Sequence, residues 1–378
     1  MAAWRYISDD SVTASFGLAG DEFLMAGYRG SQPRPPTLRL YTYRSHCVIV
    51  GRFQNVEAEL NPQVALCFGG KLPDLEAGLN VPDCRIRGIA INRRLTGGGT
   101  IVMGEDQLGM ALVTSTRYPD TPAHPREILE RYSRGVLEGL RGLGIDACFR
   151  PKNDIEVGGR KIAGLGTYID EDDVLLFHTS LLVDLDIPLM LSLLNIPFEK
   201  ISDKEVASFQ ERLTTVSGEL GRQLKPPDIR ENIKRGFEKA LGIEFSAMPF
   251  SEAEVSGIRG LEREKYRTSD WVYQRTRSPD MVGTSLKKTE AGLLRIYVAL
   301  NGSVIKSILI TGDFFSTSQT INDIEAKLRW SPVERAKIEE TLERELSAGG
   351  RYIMGLSPET LTEAILDAAA NAKLKGGP

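Results

Sequence analysis

The sequence predicts a mixed α/β fold of the α+β class, with β-sheets flanked by helices in a larger first domain and a smaller α/β domain after it. The first indication is length, because 378 residues make two or three domains at about 150 residues each. The second is that strand-like and helix-like segments alternate through the first half of the chain. The third is a change of pattern near 250–270, so we predict domains at 1–258 and 259–378.

Apolar spacing predicts the elements of the first half. Residues 14–27 carry apolar side chains at helical intervals and predict a helix, although two glycines lower its helix propensity. Alternating apolar and polar residues predict a half-buried strand at 38–43, and 47–51 predicts a short buried strand. We expect a long helix at 125–141, because Pro125 suits a first turn and apolar residues recur at helical spacing.

Glycine pairs and capping residues predict the elements of the second half. Strands are expected at 154–157 and 174–183, with Gly158-Gly159 as a tight hairpin turn. Helical patterns dominate from about Ile187, and Asn301-Gly302 predicts the turn of a later hairpin. Its strands are predicted at 290–298 and 303–311, followed by helices at 319–328, 332–347 and 357–373, where Pro332 and Pro358 follow the capping residues Ser331 and Ser357.

Composition excludes several classes of function. The chain has 47 Lys and Arg against 51 Asp and Glu, a net charge of −4, which argues against a sequence-independent nucleic-acid binder. Four cysteines without a CxxC pair predict a reducing compartment, which we take to be the cytoplasm. The first ten residues lack an apolar signal core, and no apolar stretch reaches the length of a membrane span.

A double arginine followed by three glycines is the first candidate site. Gly97, Gly98 and Gly99 leave main-chain N–H groups open to a phosphate or carboxylate, and Arg93 and Arg94 offer charged donors to the same anion. Thr96 precedes the glycines. The alternative is an ordinary hairpin loop with solvated arginines. The spacing fits neither a Walker loop nor a Rossmann fingerprint.

A second candidate site spans residues 152–164. Asn153 and Asp154 stand at the start of a predicted strand, where polar groups can reach a ligand, and Lys161 follows a turn among small and apolar residues up to Gly164. The alternative is an ordinary edge-strand lysine. Asp154 is a candidate Mg²⁺ ligand, although one carboxylate supplies only part of a Mg²⁺ shell.

Two single residues complete the candidates. Cys148 is either a small buried hydrophobe or a nucleophile, and no histidine lies near it in sequence. His178 lies within an apolar strand, where a core or edge histidine is the ordinary interpretation.

In their order along the chain, these motifs resemble those of the lipoate–protein ligases, within the biotin/lipoate cofactor-transferase superfamily. The matching segments are Asp21-Glu22, 51–55, 93–99, Asn153-Asp154, 159–164, 178–182 and 211–216. Lys265-Tyr266, Asp270-Trp271 and 308–315 resemble the small C-terminal accessory domain of these ligases. Two departures are the segment 101–109, which lacks the family's aromatic-His-Asp turn, and Ser180 after Thr179 in place of a Gly-Thr pair.

The resemblance implies an ATP-dependent ligase with a biotin/lipoate-ligase-like fold. Lipoate or octanoate would attack the α-phosphate of ATP, and an acceptor lysine would then displace AMP from the acyl-adenylate. Lys161 would be the catalytic residue, holding both the carboxylate and the α-phosphate. The residues expected to bind the substrate or adenylate are Arg93, Arg94, Thr96, Gly97, Gly98, Gly99, Asn153, Asp154, Gly164 and His178, with Mg²⁺ at Asp154.

Two other functions remain open at the level of sequence. One is an octanoyltransferase of the same fold that works without ATP through a Cys148 thioester, and the other is a non-catalytic relative that binds lipoyl domains. For an enzyme the resemblance implies an acceptor lipoyl-domain protein, such as a 2-oxoacid dehydrogenase subunit, a glycine-cleavage H protein or another lipoate-binding protein. We predict a monomer without nucleic-acid or membrane partners.

Overall fold

The structure, a computed structural model, describes residues 3–29, 34–61, 89–122, 124–195, 211–347 and 352–375. The chain divides into two compact units. The first unit comprises Met1–Ile49, Leu60–Arg93 and Ile101–Val272, and the second comprises Val50–Glu59, Arg94–Thr100 and Tyr273–Pro378. The second unit therefore takes two short segments from the N-terminal half. The boundary predicted after residue 258 stays a prediction.

A large mixed sheet is the centre of the first unit. Within the described ranges it has eight strands in the order β11-β1-β2-β6-β10-β9-β8-β7. These strands are β1 (Trp4–Val12), β2 (Thr37–Tyr43), β6 (Gln107–Ser115), β7 (Cys148–Arg150), β8 (Asp154–Val157), β9 (Arg160–Ile169), β10 (Val174–Leu182) and β11 (Phe245–Ala247). A smaller sheet has the order β4-β3-β5, with β3 at Cys47–Val50, β4 at Ala90–Arg93 and β5 at Ile101–Met103.

Helices cover both faces of the large sheet. In chain order they are α1 (Ala14–Ala26), α3 (Pro125–Gly142), α4 (Ile187–Leu193), α5 (Val216–Leu220), α6 (Pro226–Leu241), α7 (Glu252–Leu261), a π-helix (Glu262–Tyr266) and α8 (Ser269–Val272), while α2 (Val56–Glu59) belongs to the second unit. The apolar stripes of α3 and α6 pack with Leu112 and Phe177 of the sheet in one core. The opposite face of β2 meets α1, where Arg39 donates to the main chain of Gly17.

Glycines allow α3 and α6 to approach closely. A Cβ added at Gly236 of α6 would lie 2.2 Å from the main-chain nitrogen of Gly139 in α3, and real Cβ atoms do not come so near. The predicted helix at 125–141 is thus confirmed, with Pro125 in its first turn as expected.

The second unit contains a three-stranded sheet with helices on it. Its strands are β12 (Gly283–Thr289), β13 (Gly292–Asn301) and β14 (Val304–Gly312), followed by a pair of β15 (Phe315–Ser316) and β16 (Ile353–Met354). Its helices are α9 (Ser318–Leu328), α10 (Arg335–Ser347) and α11 (Pro358–Lys375). The hairpin predicted at Asn301-Gly302 is present, and Gly302 has the positive φ of +60° that such a turn needs.

Two predictions about individual elements are wrong for tertiary reasons. Strand β2 is buried along its whole length rather than half-buried, because α1 covers its polar side. Helix α10 begins at Arg335 and not at Pro332, because Pro332 pairs with Val304 of the hairpin in extended conformation. The fold class is confirmed as mixed α/β with a smaller C-terminal unit. Among the described residues, no helix combines the length and apolar character needed to cross a bilayer.

Candidate active site

Five predicted site residues share one face of the large sheet. Successive residues of a strand point to opposite faces, and Ile155, Ala163 and Phe177 face the core with α3. The face turned away from that core therefore carries the strand neighbours of these three residues, and also the residues that pair in register with those neighbours. They are Cys148 on β7, Asp154 on β8, Lys161 and Gly164 on β9, and His178 on β10. We call this surface the polar face.

Lys161 is a cation of the polar face. Its ammonium nitrogen Nζ lies 2.7 Å from Oδ1 of Asp154, and about a third of its side chain is exposed, at 35%. Gly164 makes room for it, because a Cβ at Gly164 would lie 3.2 Å from Lys161 Nζ and 3.4 Å from Ser180 Oγ. Lysine ammonium and serine hydroxyl thus border the same small space above Gly164.

The main chain of Lys161 is fixed from a neighbouring segment. Its N–H donates to the carbonyl of Arg212 at 2.9 Å, and its carbonyl accepts from the N–H of Thr214 at 2.9 Å. On the other side, Lys161 pairs with Glu156 of β8 across a register shift. Lys161 therefore lies between two paired segments and is not the ordinary edge-strand lysine of the alternative interpretation.

Cys148 is exposed and lies in register with this cluster. It stands opposite Glu156 on β8, which in turn stands opposite Lys161 on β9. Two strand spacings separate Cys148 from Lys161, which is about 10 Å between their main chains. Glu156 is half-buried, and one of its carboxylate oxygens accepts from Arg150 at 2.7 Å.

The other described cysteine contrasts with Cys148. Cys47 is buried in β3, and burial raises the pKa of its thiol to about 12. Such a thiol is not ionised near neutral pH and does not act as a nucleophile. Of the described cysteines, only Cys148 is both exposed and on the polar face, while Cys67 and Cys84 lie outside the described residues.

Asn153 ties two strands together beside Lys161. Its side-chain amide donates to the carbonyl of Leu165 at 3.1 Å, and its own carbonyl accepts from the N–H of Leu165 at 2.7 Å. This pair fixes the start of β8 and thereby the position of Asp154. The geometry gives Asn153 a positioning contact within the protein.

His178 belongs to a buried ionic network that underlies the polar face. Its Nε2 lies 2.7 Å from Oδ2 of Asp21 on α1, and Oδ1 of Asp21 accepts from Arg39 at 2.8 Å. Burial alone would raise the pKa of Asp21, but the adjacent Arg39 and His178 hold that pKa below its ordinary value. Arg39 is itself fully buried and donates at 2.8 Å to Asp9 as well. Asp21, which the family motif indicated, thus connects α1 to β2 and β10.

Replacing Asp21 with alanine is expected to lower the free energy of unfolding by about 3–5 kcal/mol, because Arg39 would remain as a buried charge without this partner. The pKa of Asp21 is lower in the folded chain than its ordinary 3.8, so its contribution is present above that pH. The contribution disappears as the pH falls through the folded-state pKa. Urea unfolding of the wild-type protein and of Asp21→Ala, at pH 7 and in acid, measures the difference in their free energies of unfolding.

Asp172→Ala is the matched control for that experiment. Asp172 is an exposed aspartate of the same unit, 61% exposed, whose ion pair with Arg29 lies on the surface. We expect a change within about 0.5 kcal/mol for this exposed position. A loss below about 1 kcal/mol in Asp21→Ala would mean that the network contributes no more than a surface pair.

The triglycine segment is part of the second unit and forms a loop organised by Arg94. One guanidinium nitrogen of Arg94 donates to the carbonyls of Gly97 at 2.7 Å and Gly99 at 2.8 Å, and another donates to Thr96 Oγ1 at 3.1 Å. Gly98 has a φ of +92°, which favours glycine. The three glycine N–H groups make no hydrogen bond within the described residues.

Arg93 occupies a different environment. Its guanidinium is fully buried in the first unit and donates to the carbonyl of Val272 at 3.0 and 2.8 Å. The carbonyl of Arg93 accepts from the indole of Trp271 at 2.9 Å. The two adjacent arginines therefore separate, and Arg93 fastens β4 to α8.

Three residues beside Lys161 and the triglycine loop are not among the site residues predicted from the sequence. Ser180 borders the space of Lys161, and its only sequence signal is the departure from the family's Gly-Thr pair. Gln54 and Asp313 hydrogen-bond to each other at 2.8 Å beside the triglycine loop. They are 259 positions apart, and in sequence they stand out only because each lies in a segment, 51–55 or 308–315, that resembles the ligases.

Family models match most of the chain. Residues 13–238 match the model described as "Lipoyl protein ligase A/B catalytic domain", and residues 278–365 match "Bacterial lipoate protein ligase C-terminus". The chain belongs to the lipoyl protein ligase A/B family. The predicted resemblance is thereby confirmed, and so are lipoylation and protein modification as the general chemistry of this family member.

Solved structures and curated relatives refine this assignment. The chain is similar to octanoyltransferase LipM of Halalkalibacterium halodurans, with 26% identity over 73% of this chain and all of that protein. It is similar to a bi-partite lipoate protein ligase from Thermoplasma acidophilum, with 26% identity, a TM-score of 0.59 and coverage of 74% of this chain and 99% of that one. P. falciparum LipL1 shares the fold at 16% identity, with a TM-score of 0.70 over 96% of this chain and 99% of that one.

The expectation of an ATP-dependent, AMP-forming ligase is wrong. The relative above and seven further ones, at 24–29% identity, all carry the name octanoyltransferase LipM. A lipoate or octanoate substrate is supported, whereas ATP with Mg²⁺ is not confirmed. In the part of the chain that the structure describes, no group of three or more His, Cys, Asp or Glu is placed to hold a metal ion.

Proposed function

We propose that this protein is an acyltransferase that moves an octanoyl group from a carrier-protein thioester to a lysine of a lipoyl-domain protein, without ATP. The observation that carries the proposal is the exposed Cys148 on the same face of the sheet as Lys161. The octanoyltransferase relatives support it. Cys148 supplies the nucleophile that a thioester route requires.

The reaction has two steps that balance without an energy donor. The Cys148 thiolate attacks the carbonyl carbon of the donor thioester, the donor carbon–sulfur bond breaks, and the carrier thiol leaves with a proton. The acceptor lysine amine then attacks the new thioester carbonyl and loses a proton. The bond to Cys148 Sγ breaks, an amide forms, and the thiol is regenerated.

Lys161 stabilises the negative charge that develops on the acyl oxygen in both steps. Its ammonium is held by Asp154 at 2.7 Å before the substrate binds. A donor that is positioned in advance stabilises the charge that develops in the transition state, because the protein need not reorganise during the reaction. Gly164 leaves the space in which the acyl oxygen reaches this ammonium.

The remaining predicted residues receive supporting roles in this proposal. The loop of Arg94, Thr96 and the three glycines binds an oxygen of the substrate through its main-chain N–H groups. Asn153 and His178 position the strands of the polar face. Arg93 acts on the substrate only indirectly, because its guanidinium is bound to the main chain.

The acceptor in this proposal is a lipoyl-domain protein. One of the similar structures is a lipoate protein ligase studied with its E2 lipoyl domain. A 2-oxoacid dehydrogenase subunit and a glycine-cleavage H protein are the classes to test first. The monomeric state and the cytoplasmic location stay predictions.

The test is to incubate the protein with a panel of apo lipoyl-domain proteins and octanoyl carrier protein, and to weigh each acceptor intact. We expect the mass of one octanoyl group to be added after ATP has been removed enzymatically. Omitting the octanoyl carrier is the control and should leave the acceptor unchanged. Modification that requires ATP and free octanoate or lipoate, with none from the carrier, would overturn the proposal.

A further inference from the structure

Gln54 is the centre of a polar network in the second unit. Its side chain is buried, and its carbonyl oxygen Oε1 accepts from the main-chain N–H of Gly51 and from the hydroxyl of Thr100, each at 2.8 Å. Its amide nitrogen Nε2 donates to Oδ1 of Asp313 at 2.8 Å. The network therefore joins both N-terminal segments of this unit to its C-terminal part.

Asp313 determines which way the Gln54 amide faces. A carboxylate only accepts hydrogen bonds, so the NH₂ group of Gln54 must point toward it. The amide oxygen is then left for Gly51 and Thr100, both of which donate. Asp313 is held in place by its own neighbours, because its N–H donates to the carbonyl of Leu293 at 2.9 Å and its Oδ2 accepts from the N–H of Leu293 at 3.3 Å.

The network closes one end of the triglycine loop. Thr100 directly follows Gly99, whereas Arg94 binds the loop carbonyls at the other end. Gly51 also touches the loop, since a Cβ there would lie 1.9 Å from the carbonyl oxygen of Gly98. A change in the Gln54 amide would thus move both Gly51 and Thr100, and with them the glycine N–H groups.

We propose that Asp313 is a positioning residue that, through Gln54, holds the triglycine loop in the conformation used for acyl transfer. This inference rests on the proposed function. A side chain from the C-terminal part of the second unit would thereby set the geometry of a loop that is predicted to bind substrate. Asp313 acts through Gln54 and not on the substrate.

Reversing the polarity of the Gln54–Asp313 pair tests this proposal. In Gln54→Glu, two carboxylates would face each other. In Asp313→Asn, the amide offers one acceptor oxygen where the carboxylate offered two. Either Gln54 Nε2 or the N–H of Leu293 would then lose its acceptor. In the double variant, the new carboxylate at position 54 accepts from Gly51, from Thr100 and from the new amide at position 313. The oxygen of that amide accepts from Leu293. The hydrogen bonds described above for Gly51, Thr100 and Leu293, and the one between positions 54 and 313, are restored with the same net charge.

We expect kcat for octanoyl transfer to fall about 100-fold in Gln54→Glu and about 10-fold in Asp313→Asn, because small displacements of a positioning group have effects of this size. The double variant should return to within about threefold of the wild-type kcat. KM for the octanoyl carrier should stay within about threefold in all variants. Asp280→Ala is the matched control, since Asp280 is an exposed aspartate of the same unit that pairs with Lys306 on the surface.

Two further measurements distinguish a failure of the role proposed for Asp313 from a failure of the proposed function. Thermal unfolding shows whether kcat falls only with the folded fraction, which would reduce Asp313 to a purely structural role and overturn the proposal. Amide hydrogen exchange at Gly51 and Arg52 should rise in both single variants and return in the double variant, whatever reaction is catalysed. If amide exchange rises in the single variants and returns in the double variant, but the protein transfers no octanoyl group, only the proposed function is refuted. If neither amide exchange nor kcat changes in the single variants, the role of Asp313 is refuted.

Discussion

Replacing Cys148 with serine is expected to lower kcat for octanoyl transfer at least about 10³-fold, as removal of a covalent nucleophile does. The wild-type protein, incubated with octanoyl carrier alone, should gain one octanoyl group on the peptide that contains Cys148. The serine variant should gain none, because its hydroxyl is a far weaker nucleophile than a thiolate and no histidine of the motif set stands beside it. Intact mass, peptide mapping and steady-state rates measure these effects.

Cys47→Ala is the matched control for this prediction. Cys47 is buried in β3 with a thiol pKa raised by burial to about 12, so its removal should leave acylation of Cys148 intact. Cys148 should also react with iodoacetamide in the folded protein, while Cys47 should react only after unfolding. Full octanoyl transfer by Cys148→Ser would exclude the thioester route and require direct attack of the acceptor on the donor.

The polar face was predictable from sequence only in part, although its residues are close along the chain. Asp154, Lys161 and Gly164 belong to one hairpin with its turn at Gly158-Gly159, but a register shift between Ile155 and Glu156 brings Lys161 to the face of Gly164. Simple alternation along the strand would have placed Lys161 on the core face with Ala163. The apolar neighbours Ile155 and Ala163 mark the opposite face as core. Period-two alternation then places Cys148 on the same side as soon as β7 pairs with β8.

The triglycine loop and the buried network were not predictable in the same way. Gln54 and Asp313 meet only in the folded chain, and nothing local in either segment reveals the partner of the other. Strand β2 likewise looked half-buried, because Arg39 is polar and its partner Asp21 lies on a separate helix. Long-range pairs of polar groups inside a fold have no periodic signature in sequence.

The sequence motifs did not distinguish a ligase from a transferase, and the reason is chemical. Activating an acyl group needs a cation near its carbonyl oxygen, whether the leaving group is a phosphate or a thiol. Lys161 and the loop glycines therefore suit both reactions, and their motifs do not distinguish them. Cys148 is the residue on which the two reactions differ, and its surroundings in sequence carry no supporting histidine.

Lys161→Ala is expected to lower kcat about 10²–10³-fold with little change in stability, because it removes one preorganised donor from the transition state. The octanoyl thioester on Cys148 should still form, but more slowly, since Lys161 is not the nucleophile. Rapid-quench measurement of Cys148 acylation and the steady-state rate together test this. Lys161 differs in this respect from Cys148, whose loss should abolish the intermediate itself.

Lys239→Ala is the control for this substitution. Lys239 is a lysine of the same unit whose side chain is 72% exposed and pairs with Glu138 on the helix surface. Its removal should leave both rates within about threefold, since exposed ion pairs contribute little. If Lys161→Ala kept the wild-type rate of Cys148 acylation, the ion pair with Asp154 would be a purely structural contact. The cation that stabilises the acyl oxygen would then have to come from elsewhere in the chain.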